Sequence, residues 1–183
     1  MLEQYMIENC APTLAGLKSG NLFSYRFASK ENVLTELEEV NFKLNSRGVS
    51  VEALQWKENM VLIYAYRRNY LERDLQNAGI RGLLEEYGYQ QWGVEYCLQH
   101  LKSRLYEYDC FPHEIGVFLG YPLEDVKGFI QNKGREYKCC GLWKVYDNEL
   151  EAQKLFEKLR KCTRVYLQVF AGGRSISQMT VSA

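Results

Sequence analysis

Cys10 and His113 are the two side chains of this sequence that could together perform nucleophilic chemistry. A cysteine becomes a nucleophile when an imidazole within hydrogen-bonding reach takes its proton and a third group orients that imidazole. A cysteine early in the chain and a histidine much later is an order found in thiol hydrolases. The pattern therefore predicts a thiol-dependent hydrolase or transferase, with Cys10 as nucleophile, His113 as base and Glu114 as the third catalytic residue.

Local structure argues both for and against this hypothesis. Pro12 predicts a helix break near Cys10, which would place the thiol at the N-terminus of a second helix, where a thiolate is stabilised. Glu114 is a poor orienter for His113, because neighbours on a strand point to opposite faces. The alternative interpretation is that Cys10 packs in the core and His113 hydrogen-bonds a backbone carbonyl.

A second kind of chemistry, anion binding, is predicted where strands end. In open α/β sheets, ligands bind beyond the carboxyl ends of parallel strands, where helix N-termini offer free amides. The segments that follow predicted strands are Gly120-Tyr121, Asp147-Asn148, Gly172-Gly173-Arg174 and Arg67-Arg68. If these ends converge, Tyr121, Gly172 and Gly173 would line a phosphate or carboxylate site, with Arg174 or Arg67 as the cationic fork. The alternative is that these are turn glycines and solvated arginines.

Other sites are disfavoured by the residue patterns. The sequence has two histidines and six cysteines, without a C-x-x-C pair, so no metal site is predicted. Cys139 and Cys140 are adjacent; on a strand they would face apart, which favours core packing over a redox pair. Neither G-x-G-x-x-G nor G-x-x-x-x-G-K-[ST] occurs, so a dinucleotide or P-loop site is not expected and the cofactor stays open.

Composition predicts a cytoplasmic globular protein. The chain has 183 residues, 46% hydrophobic and 25% charged, which suits one domain over residues 1–183. The chain has 23 lysine and arginine residues and 23 aspartate and glutamate residues, so no net electric field attracts nucleic acid or a membrane. No apolar stretch is long enough to span a bilayer, and the first residues do not resemble a signal peptide.

Hydrophobic spacing predicts an α/β fold: a single domain with a mixed sheet of about five or six strands and helices packed on it. In the first half, a helix begins after Ser29 and ends at Gly48, and residues 49–56 and 60–66 form a hairpin. The second half reads β-α-β-α-β, with strands at the residue ranges 115–119, 139–146 and 164–170. The first of these strands would hold His113 at one end and Tyr121 at the other, so that one site using both is not expected.

Three runs of residues carry a resemblance to a known family. They are Cys10-Ala-Pro-Thr-Leu-Ala-Gly-Leu-Lys18 with Asn21-Leu-Phe23, the long run from Phe111 to Val126 with Gly128-Phe129-Ile130, and Gly141-Leu-Trp-Lys-Val-Tyr146. Together they resemble the domain-of-unknown-function family 3793, which consists of uncharacterised bacterial proteins from anaerobic Gram-positive species. Family members often have histidine before the cysteine that corresponds to Cys10, whereas this chain has Asn9.

The resemblance implies no particular activity, because the family has no established one. It suggests a protein partner in a redox or iron-related context, since members are encoded near flavodoxin-like and iron-uptake proteins. With the residue patterns, it predicts a small-ligand, anion-binding domain or a partner-binding domain. The thiol-dependent enzyme is the alternative.

Overall fold

The computed structural model describes residues 2–107 and 111–182, and the chain divides into two compact units. Unit 1 comprises Met1–Tyr70 and Lys161–Ala183, and unit 2 comprises Leu71–Arg160. Each unit is described by itself below. The single domain predicted for the whole chain stays a prediction.

Helices dominate both units. The helices are α1 (Leu2–Leu14), α2 (Lys30–Leu44), α3 (Arg68–Leu75), α4 (Ala78–Glu85), α5 (Val94–Glu107), α6 (Ile115–Phe118), α7 (Leu123–Gln131), α8 (Glu149–Ala171) and α9 (Ile176–Met179). The strands are β1 (Gly20–Arg26), β2 (Val49–Lys57), β3 (Met60–Arg67), β4 (Cys139–Cys140) and β5 (Lys144–Val145). Among the described residues, no helix combines the length and apolar character needed to cross a membrane.

Unit 1 is built on a three-stranded antiparallel sheet in the order β1-β3-β2. The apolar face of this sheet packs with α1 and α2, and Phe23 and Ile63 are paired across β1 and β3 in that core. The predicted hairpin and the predicted helix α2 are confirmed. Ser29 caps α2 through its hydroxyl, which accepts a hydrogen bond from Asn32 N, because the free amides of a first helical turn need acceptors.

The helix break predicted at Pro12 is wrong, because α1 runs unbroken from Leu2 to Leu14 with Pro12 inside it. Proline interrupts a helix by removing one N–H and by crowding the carbonyl four residues earlier. Here the carbonyl four residues earlier is that of Glu8, which loses one helical donor, and α1 continues for only two residues after Pro12. Cys10 therefore lies within a helix and not at a helix N-terminus.

The strand predicted at residues 115–119 is also wrong, because Ile115–Phe118 is the helical turn α6. A short apolar run does not distinguish a buried strand from a buried helical turn. Gly116 fixes the choice through packing: a Cβ built there would lie 2.8 Å from Val126 Cγ2. The absence of a side chain at Gly116 lets α6 pack directly against α7.

The strand predicted at residues 164–170 lies inside α8. Neither glycine nor proline interrupts Glu149–Ala171, so the helix continues through this segment. Apolar and polar residues alternate from Arg164 to Phe170, which is the pattern that predicts a strand. In the helix, Tyr166, Val169 and Phe170 pack on the unit 1 core at spacings of three and four residues. Val165 and Leu167, which would lie on the buried face of such a strand, are 44% and 39% exposed.

The mixed α/β class is confirmed, but its predicted sheet is not found. In the described part of the chain the strands form two separate antiparallel sheets, of three and two strands. Residues 139–146, predicted as one strand, make the small hairpin β4–β5, in which Gly141 N donates to Trp143 O at 3.0 Å. The predicted β-α-β-α-β order therefore fails, and with it the parallel strand ends on which the anion site was placed.

Close packing of the hairpin on α7 makes Gly128 sensitive to substitution. A Cβ at Gly128 would meet Tyr146 Cγ at 2.4 Å, whereas a Cβ at Gly82 in α4 meets no described atom within 4 Å. We expect Gly128→Ala to lower the free energy of unfolding by about 2 kcal/mol through overpacking. Gly82→Ala should raise it by about 0.5–1 kcal/mol, since alanine favours a helix over glycine.

Urea unfolding of both variants tests this expectation. Both substitutions add the same methyl group in a helix of unit 2, so the stabilisation that alanine gives a helix relative to glycine is the same in both variants. Equal effects of the two substitutions would contradict the packing of Tyr146 on Gly128.

Candidate functional site

An open groove of about 420 Å³ lies in unit 2 between α6, α7 and the β4–β5 hairpin. It is called the unit 2 groove below. Its lining is mainly apolar, and the residues that matter for its chemistry are His113, Tyr121, Phe129, Cys140, Trp143 and Lys144. Pockets that bind small molecules have this volume and this mixture of apolar walls and a few polar groups.

The helical turn α6 brings both ends of its segment to the groove. His113 O accepts from Gly116 N at 3.2 Å as the turn begins, and Tyr121 N donates to Gly116 O at 3.0 Å after it ends. Gly120, with φ of +67°, reverses the chain between α6 and Tyr121. His113 and Tyr121 therefore line one groove, whereas a strand would have separated them.

Aromatic rings form two walls of the groove. The rings of Tyr121 and Trp143 stack with centroids 4.8 Å apart and an interplanar angle of 27°. His113 meets Phe129 edge to face, with centroids 4.9 Å apart. Burial raises the pKa of Tyr121, so its hydroxyl keeps its proton at neutral pH and can donate a hydrogen bond.

Asp125, in the first turn of α7, holds the hairpin in place. Its carboxylate is buried; Oδ2 accepts from Trp143 Nε1 at 2.8 Å, and Oδ1 accepts from Tyr146 N at 2.7 Å and Asp147 N at 3.0 Å. Hydrogen bonds from several N–H groups stabilise a buried carboxylate. Asp125 thereby fixes Trp143 as a wall of the groove.

The hairpin supplies the thiol and the cation of the groove. Cys140 pairs with Lys144 across the two strands, so the two side chains share one face. Cys140 is exposed, and Lys144 Nζ lies 5.7 Å from the centre of the Phe129 ring and donates to Gly134 O at 2.6 Å. Cys139 pairs with Val145 on the other face, as expected for adjacent residues of a strand.

The predicted catalytic residues lie in different parts of the chain. Cys10 is in the core of unit 1 and is fully buried, whereas His113 and Glu114 belong to unit 2. The Glu114 carboxylate is buried and forms an ion pair with Arg104. Burial raises the pKa of the Cys10 thiol well above its ordinary value, and the Lys18 ammonium opposes that effect only in part. The thiol-enzyme hypothesis stays a prediction.

Alkylation gives a direct measure of how accessible Cys10 is. We expect iodoacetamide at about pH 8 to modify the exposed Cys140 of the folded protein and to leave Cys10 unmodified until urea unfolds the chain, because thiolate and access are both required. Rapid modification of Cys10 that slows in His113→Ala would contradict this expectation and support the thiol enzyme.

Folded Cys10 also holds its proton to higher pH than unfolded Cys10, so this group lowers stability as pH rises above about 9.

The residues predicted to bind an anion belong to both units. Arg67 is fully buried in unit 1, where Nε donates to Thr13 O, and Nη2 donates to Leu14 O and Val181 O, each at 2.7 Å. Gly172, Gly173 and Arg174 form an exposed turn between α8 and α9. Among the predicted ligand residues, Tyr121 is the one that lines the unit 2 groove, and the role predicted for the others stays a prediction.

Sequence reasoning missed the hairpin side of the groove. The sequence predicts one strand over residues 139–146, which contains Cys140, Trp143 and Lys144, and no pattern predicts the buried position of Asp125. The available signal was Gly141, which permits the turn between Cys140 and Lys144. Within the described residues no group of three or more histidine, cysteine, aspartate or glutamate side chains could hold a metal ion. Cys110 lies outside the described residues.

Comparison with known proteins gives one match. A family model described as "Protein of unknown function (DUF3793)" matches residues 6–180, which includes every residue of the groove discussed above. No curated protein and no solved structure matches the chain.

Proposed function

The chain belongs to the family "Protein of unknown function (DUF3793)", and we propose that it binds a small anionic ligand in the unit 2 groove. One observation carries the proposal: a cavity of about 420 Å³, mainly apolar, has a lysine in its lining. A small molecule with an apolar body and one negative charge matches that combination. Tyr121, which the sequence predicted as a ligand residue, keeps that role in the proposal.

Lys144 supplies the charge that favours an anion. An ammonium group carries three N–H donors, and one of those of Lys144 donates to Gly134 O. In the described part of the chain, the other two N–H groups of the Lys144 ammonium make no hydrogen bond and can therefore point to a ligand. A carboxylate or phosphate oxygen is the natural acceptor for them, since charge-assisted hydrogen bonds are stronger than neutral ones.

The negative charge of Asp125 does not oppose this preference strongly. Its two oxygens accept from Trp143 Nε1 and from two backbone amides. These three donors stabilise the negative charge of the carboxylate and so weaken its repulsion of an anion. His113, which is exposed at the other side of the lining, offers a ring nitrogen as a further donor. The ligand's charged group is therefore expected at Lys144, with its apolar body between the aromatic walls.

Titration calorimetry with indole-3-acetate, hexanoate and inorganic phosphate tests the proposal. We expect at least one of these anions to bind the wild-type protein and Lys144→Gln to weaken its binding by about two- to fivefold, as for a partly exposed ion pair. Lys127→Gln is the matched control, because Lys127 lies on α7 and pairs with Glu124 at 3.2 Å instead of lining the groove.

The proposal makes the effect specific to one lysine. Binding that is absent for all three anions, or weakened equally by Lys144→Gln and Lys127→Gln, would contradict it. In the latter case the anion would be responding to net charge and not to the groove.

A further inference from the structure

Aromatic side chains form two pairs in the lining of the unit 2 groove, Tyr121 with Trp143 and His113 with Phe129. Tyr121 and Trp143 are held nearly parallel, and Trp143 is fixed from behind by Phe156, whose ring meets it edge to face at 4.5 Å. Asp125 fixes the same indole through Nε1 at 2.8 Å. These contacts hold the Tyr121 and Trp143 rings in fixed positions in the lining of the groove.

The second wall presents a ring next to a cation. Phe129 contacts His113 on one side, and Lys144 Nζ lies 5.7 Å from the Phe129 centroid and 4.9 Å from that of Tyr137. A ligand ring that packs against Phe129 would thus have a substituent within reach of the Lys144 ammonium. Aromatic rings prefer offset-stacked or edge-to-face partners, and both kinds of surface are present here.

We infer that the ligand of the unit 2 groove is a planar aromatic anion, that is, a mono- or bicyclic ring that carries a carboxylate or a comparable acidic group. This inference rests on the proposed function and narrows it. The ring packs between the Tyr121–Trp143 pair and Phe129, and the acidic group pairs with Lys144. An aliphatic anion would satisfy Lys144 but would forgo the ring contacts.

Four probes separate the contribution of the ring from that of the charge. Indole-3-acetate is the aromatic anion, cyclohexylacetate is the aliphatic anion, indole-3-acetamide is the neutral aromatic molecule and tryptamine is the aromatic cation. We expect indole-3-acetate to bind about three- to tenfold more tightly than cyclohexylacetate, which is the range that aromatic pairs contribute. It should also bind more tightly than the amide, and tryptamine should bind weakest.

Two variants assign each preference to its residue. Phe129→Leu should reduce the preference for indole-3-acetate over cyclohexylacetate and leave the preference for the anion over the amide. Lys144→Gln should do the reverse. Both variants are first checked for the wild-type circular dichroism spectrum, and if Phe129→Leu fails to fold, the affinities of the wild-type protein for the four probes decide the question.

The outcomes distinguish this inference from the proposed function. Preference for indole-3-acetate, with the two variant effects, supports the aromatic anion. Equal binding of indole-3-acetate and cyclohexylacetate overturns the aromatic inference while the anion site stands. Equal binding of indole-3-acetate and its amide overturns both. No binding of any of the four probes overturns the aromatic inference, and the anion site is overturned as well if hexanoate and phosphate also fail to bind.

Discussion

Arg67→Ala is expected to lower the free energy of unfolding by about 4 kcal/mol, the largest effect of any substitution considered for this chain. Arg67 is fully buried, and its guanidinium donates to three backbone carbonyls, those of Thr13, Leu14 and Val181. Loss of the side chain would remove one donor from each carbonyl and create a cavity. Thr13 O would keep Gly16 N as a donor and Leu14 O would keep Val181 N, whereas Val181 O would lose its described donor. Hydrogen bonds to a charged group contribute more than neutral ones, and their unmade partners carry the full desolvation penalty.

The effect should be concentrated where Arg67 joins chain segments that are distant in sequence. It links the C-terminal end of α1 to the segment after α9, where Val181 N also donates to Leu14 O at 3.0 Å. In Arg67→Ala we therefore expect the amide of Val181 to exchange its hydrogen much faster than in the wild-type protein. Hydrogen exchange followed by mass spectrometry measures this change, and urea unfolding measures the global loss.

Two further variants make the Arg67 prediction specific. Arg174→Ala removes an exposed arginine of the same unit and should change stability by less than about 0.5 kcal/mol. Arg67→Lys keeps the charge but cannot reproduce the fork, so an intermediate loss is expected. A loss below about 1 kcal/mol in Arg67→Ala would show that the three carbonyls are satisfied without it.

Asp125→Ala is the second large prediction, with an expected loss of about 3 kcal/mol. The carboxylate of Asp125 accepts from Trp143 Nε1, Tyr146 N and Asp147 N, and the side chain is almost fully buried. Without it, three donors lose a charged acceptor and the hairpin loses its attachment to α7. Trp143, now 9% exposed, should become more exposed to water, with a red shift of tryptophan emission.

Glu124→Ala is the matched control for Asp125. It removes the neighbouring acidic residue in the first turn of α7, which pairs with Lys127 on the surface, so the charge near the helix N-terminus changes equally. We expect a loss of about 0.5 kcal/mol or less and no shift of emission. Similar losses in the two variants would mean that Asp125 acts through the helix dipole and not through the hairpin.

The sequence predicts helix α2 and the β2–β3 hairpin of unit 1 well because these elements are regular and locally encoded. Ser29 and Gly48 delimit a helix with a single apolar face, and the runs in β2 and β3 are separated by a short polar turn. Local signals and tertiary packing agree in these segments, so each can be identified from its own residues.

Unit 2 was predicted less well because its short apolar runs are ambiguous. Ile115–Phe118 is apolar on all sides because it is enclosed, and enclosure gives the same pattern in a strand and in a helical turn. The close approach of Val126 to Gly116, which settles the matter, is a contact between elements and has no local signature. A strand at this position would place Tyr121 and His113 at opposite ends, so the predicted strand excludes the groove that both residues line.

The hairpin shows a related limit. Asp125 and Trp143 are 18 positions apart, and their hydrogen bond is visible only once the chain has folded. A buried carboxylate that accepts from an indole and from two amides has no pattern in a single sequence. Tyr121 is predicted as a ligand residue because it follows a predicted strand, and that strand is the helical turn α6. Tyr121 therefore lines the groove for a reason that the sequence pattern does not contain.

Protection of Cys140 from alkylation tests the central claim, that a small anion binds in the unit 2 groove, most directly. Cys140 is exposed and lines the groove, so a ligand bound there must cover it. With saturating indole-3-acetate we expect its rate of reaction with iodoacetamide to fall at least about fivefold, while that of Cys162 in unit 1 stays unchanged. In Lys144→Gln the same concentration should protect Cys140 less. An unchanged Cys140 rate at a concentration where calorimetry shows binding would place the anion elsewhere and contradict the account.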